Sequence, residues 1–398
     1  MADLIVRNAT LFANQESPEG TAAAGQAGDA ILASGVSIDY GLEIHDREYQ
    51  GSPGVRAPVT GAKTGAGISF TTELKGNGST TLPEVDELLT GCFGQVGAAD
   101  LASTISGTSG SATVLDVTSA TNATVGNLAM LELTSTADAY ECVGLITTVD
   151  TGATPDDVTV TPGAVNGGYA TNGKKIYEMR TWSPLLPPSS VNSLTFDLYH
   201  NADSGAAQLD RLIGARGTFS ISSPKAGAIP MFSWKFTGWG WETPVTNGTR
   251  PTPTYDTANP KPSIASVFRV DGTYVNAYDI EFDIGAEVAR KFSQNATGGV
   301  YGTPHVAYKP SGSFKIHPAH SSVAEFTAWN ANTQRSIMFQ VGNALYGTWA
   351  IFIPKAVIKS VSRVDDSGVG ALQVEWVGID QDDALATACD ASVYFGVG

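Results

Sequence analysis

The sequence predicts a mainly β protein: a β-sandwich flanked by short helices, apparently duplicated along the chain and carrying a small inserted β domain. Three observations predict it. Segments rich in β-branched and aromatic residues alternate with a period of two between Gly, Asn, Asp and Pro turns. Ile68-Ser-Phe-Thr-Thr-Glu-Leu74, Ser193-Leu-Thr-Phe-Asp-Leu-Tyr199, Phe232-Ser-Trp-Lys-Phe-Thr-Gly-Trp239 and Leu372-Gln-Val-Glu-Trp-Val-Gly-Ile379 are examples. Helical periodicity is confined to two short stretches. The order strand, loop, strand, helix, three strands occurs twice.

In the first half, a predicted strand from Ser37 to His45 and another from Gly67 to Leu74 flank a long loop, and a helix is predicted over Thr81 to Phe93. Thr81 and Glu84 stand at capping-box spacing, and Pro83 sits in the early turn, where a missing N–H costs little. Val85, Leu88, Leu89, Cys92 and Phe93 then form one apolar face that stops near Gly94. After an interruption come predicted strands Leu194 to Tyr199, Gly214 to Ile221 and Met231 to Trp239. The second half repeats the order. Predicted strands Tyr278 to Ile284 and Gly312 to Ile316 precede a weaker helix from Ser322 to Asn332, with Val323, Phe326 and Trp329 as its apolar positions. Predicted strands Ile337 to Val341, Gly347 to Ile353 and Leu372 to Ile379 complete it. Residue identity between the halves is slight, so duplication is read from the order of elements.

The expected organisation follows. Residues 1–96 and 183–242 form the first sandwich, 97–182 an inserted small β domain, 243–261 a Pro-rich connector, and 262–398 the second sandwich with a C-terminal arm. Within the insertion, Ala112 to Thr118, Leu128 to Leu133, Glu141 to Ile146 and Asp157 to Thr161 are short predicted strands behind a Gly/Ser/Thr-rich entrance. Pro244, Pro251, Pro253 and Pro260 stiffen the connector.

The 398 residues carry 23 Lys plus Arg against 39 Asp plus Glu, a formal net charge of -16. That balance argues against gripping nucleic acid, which takes Lys and Arg to displace phosphate counterions, and against docking on an anionic membrane. No apolar run approaches the roughly 20 residues a bilayer span requires. The start, Met-Ala-Asp-Leu-Ile-Val-Arg, lacks the basic region and long apolar core of a secretion signal. Cys92, Cys142 and Cys389 read as buried thiols rather than a disulfide framework. From Gly76 to Gly173 there is no Lys or Arg at all. This stretch reads as a small solvated β domain kept soluble by its own sign, or as a surface that does not stick to polyanions.

No catalytic or metal pattern emerges, and no cofactor is expected. His317-Pro-Ala-His320, with His305 upstream, has a proline inside the pair and no carboxylate or Cys cluster to complete a site. Asp365-Asp366-Ser-Gly and Gln381-Asp382-Asp383 read as turns, since EF-type spacing is absent. Trp234, Trp239 and Trp241 suggest a sugar platform, but Trp234 and Phe232 share a strand face, which favours core and rim roles. Two segments stand out instead. Glu43 to Ala66 is a long loop of mixed charge with little core potential, and compact domains keep such loops for partners. Asp383 to Gly398 is an apolar-tipped tail. The expected interface contacts are therefore Asp46, Arg47, Glu48, Tyr49, Val55, Arg56 and Lys63 from the loop, and Val393, Tyr394 and Phe395 from the tail.

Gly41-Leu-Glu-Ile-His-Asp-Arg-Glu, the run Gly65 to Gly91, the segment Gly214 to Trp239 with its Gly227-Ala-Ile-Pro230 hairpin, and Ile353-Pro-Lys-Ala-Val-Ile with the acidic turn and Trp376 strand beyond it resemble major tail (tail tube) proteins of long-tailed phages. The resemblance covers most of the chain except Gly97 to Trp182 and is one of arrangement rather than of an invariant motif. It implies a structural virion protein, assembled in the host cytoplasm, whose rings stack into a tube around a tape-measure protein and later pass double-stranded DNA without binding it specifically. It also implies tail terminator and baseplate or distal tail proteins as partners, and no membrane. Family rings usually hold six copies of the fold; a chain holding it twice implies a trimeric, pseudo-sixfold ring, a hexamer being the alternative. A β-sandwich module binding glycans or a receptor is the competing reading, and an enzyme the least supported, for want of any acid–base pair.

Overall fold

Alternation of side chains in an extended backbone puts every second residue on one face, so the period-two segments fold as strands with one buried side. The computed structural model describes residues 9–47, 56–76, 82–97, 101–106, 113–133, 139–163, 173–184, 191–201, 207–223, 225–264, 266–296, 298–317, 323–380 and 391–398. The fold is mainly β, with two short helices among the described residues.

The first half opens with β1 (Thr10–Gln15), β2 (Ala30–Ile31) and β3 (Ser34–Asp39). A hairpin of β4 (Leu42–Arg47) and β5 (Arg56–Lys63) follows, then β6 (Gly67–Glu73), helix α1 (Asp86–Phe93) and β7 (Gly94–Gly97). Six strands then make a separate sheet: β8 (Ala102–Thr104), β9 (Val114–Val117), β10 (Leu128–Glu132), β11 (Tyr140–Asp150), β12 (Asp156–Pro162) and β13 (Lys175–Glu178). The chain re-enters the main body as β14 (Arg180–Pro184), β15 (Leu194–His200), the 17-residue β16 (Ala207–Ser223), β17 (Met231–Thr237), β18 (Gly240–Trp241) and β19 (Val245–Gly248). The second half holds β20 (Val267–Val270), β21 (Thr273–Tyr274) and β22 (Ala277–Asp283). A second hairpin-like excursion contains β23 (Ala286–Val288), β24 (Lys291–Phe292), β25 (Val300–Gly302) and β26 (His305–Tyr308). Then come β27 (Ser311–Ile316), α2 (Ala324–Asn330), β28 (Gln334–Val341), β29 (Trp349–Asp366), β30 (Val369–Gly378) and β31 (Tyr394–Val397).

Backbone pairing repeats between the halves. In the first, β3 pairs with β6, β6 with β17, β17 with β16, β16 with β15 and β15 with β1, all antiparallel. In the second, the same roles fall to β22, β27, β30, β29, β28 and β20. Register repeats as well: Ser37↔Ser69 matches Glu281↔Ser313, and Thr10↔Tyr199 matches Val267↔Gln340. Each leading strand bulges at a left-handed residue, Gly35 (φ 63) or Asp279 (φ 51), and each ends on a left-handed glycine, Gly41 (φ 58) or Gly285 (φ 57). The N–H of Gly41 donates to Asp39 Oδ1 at 2.9 Å, and that of Gly285 to Asp283 Oδ1 at 2.8 Å. Both helices are followed by a left-handed residue, Gly94 (φ 82) and Asn332 (φ 50).

The halves join edge to edge. Beyond its pairing with β15, β16 takes β22 as a neighbour through Ser220↔Asp283, Ile221↔Phe282, Ser222↔Glu281 and Ser223↔Ile280. One sheet therefore runs β3-β6-β17-β16-β22-β27-β30-β29. Its inward residues, among them Phe70, Phe219, Phe232, Trp234, Phe282, Val374 and Trp376, form one continuous core closed by α1 and the remaining strands. Gly312 admits the Trp376 ring there: a Cβ would sit 2.5 Å from it.

The six-stranded sheet has its own apolar core, including Leu115, Leu131, Val143, Val158 and Ile176. It docks on the second half, where Leu128, Met130 and Cys142 pack with Met338, Phe352 and Tyr394. At this contact Arg269, 1% exposed, meets Glu141 at 2.9 Å, and Tyr274 Oη donates to the same carboxylate at 2.7 Å. Gln340 accepts from the Cys142 N–H at 2.7 Å and donates to the Tyr140 carbonyl at 3.1 Å.

Several expectations are corrected. Glu43 to Ala66 is not an irregular loop; its described part forms the β4–β5 hairpin, because a glycine turn at Gly41 breaks the anticipated long strand in two. Thr81 lies outside the described residues, and Glu84 does not cap α1: it pairs with Lys75 at 2.8 Å, and Val85 occupies the N-cap. The α1 apolar face is buried at every anticipated position, but in α2 only Ala328 is buried. The described part of the closing segment, 391–398, is not a free arm, and 383–390 lie outside the described residues. β31 pairs with β14 and β29, and Val393, Tyr394 and Phe395 are at most 2% exposed, because Phe395 completes an aromatic cluster with Phe219, Phe232, Trp182 and Trp349.

Candidate assembly surface

A strand whose outer N–H and C=O groups are unpaired is a template for another strand. Among the described residues, β3 pairs only with β6, and β29 beyond Val357 pairs only with β30. These are the two ends of the eight-stranded sheet. In the repeat, β3 corresponds to β22 and β29 to β16, the two strands already joined inside the chain. The interior joint buries Ile221, Ser223, Ile280 and Phe282, whereas at the open edges Val36, Ser37, Asp39, Ser362 and Arg363 are exposed. Each edge thus carries the form its partner has inside the chain.

The uncovered face of this sheet is polar. One row reads straight across seven strands as Glu73, Met231, Ser222, Glu281, Ser313, Glu375 and Ser360. The next reads Thr71, Ser233, Ser220, Asp283 and Ser311. Lys315 is held by Asp279 at 2.5 Å, while Lys235 and the exposed Lys359 stand among the acids, Lys359 lining one groove with Glu281, Asp283 and Glu375. Hydroxyls and carboxylates at this density offer a phosphate chain little cationic hold.

The two hairpins differ in what lies beneath them. The second packs over the first half: His305 Nε2 donates to the Gly217 carbonyl at 2.9 Å, Tyr308 Oη to the Cys92 carbonyl at the end of α1 at 2.9 Å, and Thr303 Oγ1 to the Gly214 carbonyl. Burial holds His305 neutral, its pKa lowered to about 4, and pushes the Tyr308 phenol up. Thr303, His305 and Val300 are buried. In the β4–β5 hairpin, Leu42, Ile44 and Val59 are 48%, 60% and 48% exposed.

Of the anticipated contact residues, Asp46 is exposed and Arg47 half-buried on β4. Arg56 lies on β5, and Glu48, Tyr49 and Val55 lie outside the described residues. Lys63 is drawn inward, its Nζ donating to the Trp241 carbonyl and its N–H to the Gly298 carbonyl at 3.0 Å. Val393, Tyr394 and Phe395 belong to the core and leave the contact set. The edge residues of β3 and β29 were missed; the signal was present in Val36-Ser-Ile-Asp-Tyr-Gly-Leu-Glu-Ile44 against Ile280-Glu-Phe-Asp-Ile-Gly-Ala-Glu-Val288, which share Asp-x-Gly-x-Glu. Trp234 and Trp241 are buried, and Trp239 lies half-buried against Gly20 and Gly214 with Nε1 toward Glu19; Trp239 and Trp241 line a cavity of about 550 Å³ with Tyr301. His305 is buried, His317 stacks on Tyr278 near Asp366, and His320 lies outside the described residues. Among the described residues no three His, Cys, Asp or Glu form a metal-binding group. No protein-family model matches the chain, and no curated protein matches it.

Proposed function

We propose that this chain is a structural, self-assembling subunit whose copies join β29 of one to β3 of the next, closing rings that stack into a tube of the phage-tail kind. The observation that carries this reading is the interior joint. Two copies of one strand arrangement meet through β16 and β22 and leave, at the far ends, the same pair of edges unjoined. Repeating one joint gives a closed ring where its rotation divides a full turn, and closure removes the edge hazard. Three copies complete a pseudo-sixfold ring. The polar, acid-bearing face of the sheet becomes the wall of the passage, suited to DNA that must move through without being held. A tape-measure protein, a tail terminator and baseplate or distal tail proteins are the partners of this reading, and the virion its location.

Transferring the interior register across the gap pairs Val364 with Ser37, as Ser222 pairs with Glu281. The variant Ser37→Cys, Val364→Cys tests this under oxidation. Covalent dimers and trimers with nothing larger support a closed three-copy ring; a ladder ending at six supports the hexamer. Oxidised protein that stays monomeric at assembly concentration overturns the reading.

A further inference from the structure

We infer that the β4–β5 hairpin of one copy lies across β29 and the C-terminal end of α2 of the next copy, so that each subunit boundary is strapped as well as laddered. This rests on the edge-to-edge reading above and extends it to a second surface. The second hairpin supplies the template: leaving β22 at Gly285, it crosses the very joint that β22 makes and rests on β16 and on the last turn of α1. Gly41 to Gly65 spans the same interval as Gly285 to Lys309, and both excursions are clamped at the base alike, Gly65 N–H to Gly41 C=O and Lys309 N–H to Gly285 C=O. The first excursion is one ladder, β4 with β5, and the second is two, β23 with β26 and β24 with β25; beneath them, the second has β16 and α1 and the first has no counterpart among the described residues.

The receiving surface has the matching defect. By the helix correspondence, Cys92 falls on Asn330 and Phe93 on Ala331. All of α1 except Glu87 is buried, but Trp329 is 41% exposed beside Lys359, whose carbonyl its Nε1 contacts at 3.1 Å. Exposed apolar side chains therefore stand on both sides of the gap: Leu42, Ile44 and Val59 on the hairpin, Trp329 on α2. A second copy of this chain is the occupant that the interior joint specifies, since it alone brings hairpin and α2 together in the same motion that pairs β3 with β29.

The test places a single reporter thiol, Asn330→Cys with Cys389→Ser, in the full chain; Cys92 and Cys142 are buried and free. Maleimide labelling is timed in dispersed subunits and in rings closed covalently through Ser37→Cys and Val364→Cys. We expect labelling at least about tenfold slower in rings, and full recovery when Leu42→Asp and Ile44→Asp are added to the same covalent rings. Equal rates in rings and subunits overturn the strap while leaving the ladder intact. Protection that survives the hairpin changes also overturns it, because something else then covers Asn330. If the edge cysteines never cross-link, the ring reading itself fails, and that failure is seen before any labelling.

Discussion

At Gly41 and Gly285 a methyl group has no space: a Cβ would lie 2.1 Å from the Ala66 nitrogen in one case and 2.1 Å from the Lys309 carbonyl oxygen in the other, at φ 58 and 57. Left-handed strain alone costs about 1–3 kcal/mol, and the overlap adds to it. Gly285→Ala and Gly41→Ala should each lower the thermal midpoint by several degrees in scanning calorimetry, whereas Gly370→Ala, with open space around it, should not. His305 gives a pH signature. Its folded pKa of about 4 lies below the ordinary value near 6.5, so the unfolded chain takes up a proton first as pH falls. Stability contributed by the neutral ring is complete above about pH 6.5 and is lost on acidification toward 4, by about 2 kcal/mol between pH 7 and pH 5. His305→Gln should remove that part of the slope in urea titrations at the two pH values. The residue-level repeat was legible in Asp-x-Gly-x-Glu only once register aligned the halves. The two hairpins sit in different surroundings, and their remaining residues have diverged to suit.

At the scale of elements, strands were the legible part, because burial on one face writes a period of two into the sequence. What was not legible depended on neighbours distant in the chain. Whether Val393-Tyr-Phe395 is an arm or a core strand turns on the gap between β14 and β29, which no local pattern reveals. The apolar positions of α2 predicted a buried stripe, yet Val323 and Trp329 remain exposed in the single chain. The second half also departs from the first where the six-stranded sheet docks: Arg269 and Gln340 stand where Phe12 and Tyr199 stand in the first half. Arg269→Met leaves Glu141 buried with Tyr274 as its side-chain partner among the described residues, a loss of about 3–5 kcal/mol, which denaturant unfolding would register. On β16, Ile221 turns its backbone toward β22, in phase with Phe219, whose carbonyl accepts from Ile284 N–H at 3.2 Å. Arg363 holds that position on β29, so Arg363→Pro removes an outward N–H that the lone subunit does not use. The variant should remain a folded monomer by circular dichroism and sedimentation while losing ring formation; assembly at wild-type concentration would place the joint elsewhere.

For the whole molecule, part of the net charge of -16 has a definite location. Glu73, Glu281, Asp283 and Glu375 share one face of the eight-stranded sheet, while the stretch without Lys or Arg lies mostly in the six-stranded sheet docked on the second half. An acid-bearing face of the eight-stranded sheet and an acid-rich six-stranded sheet are thus separate features of one chain. Repetition explains the architecture: one strand arrangement used twice builds one joint inside the chain and leaves the matching pair of edges unjoined. Electron microscopy of the purified protein, with particle averaging, tests this most directly. Rings of constant diameter with sixfold outline and threefold true symmetry, free or stacked as tubes, are the expected result; monodisperse single subunits at high concentration would contradict it.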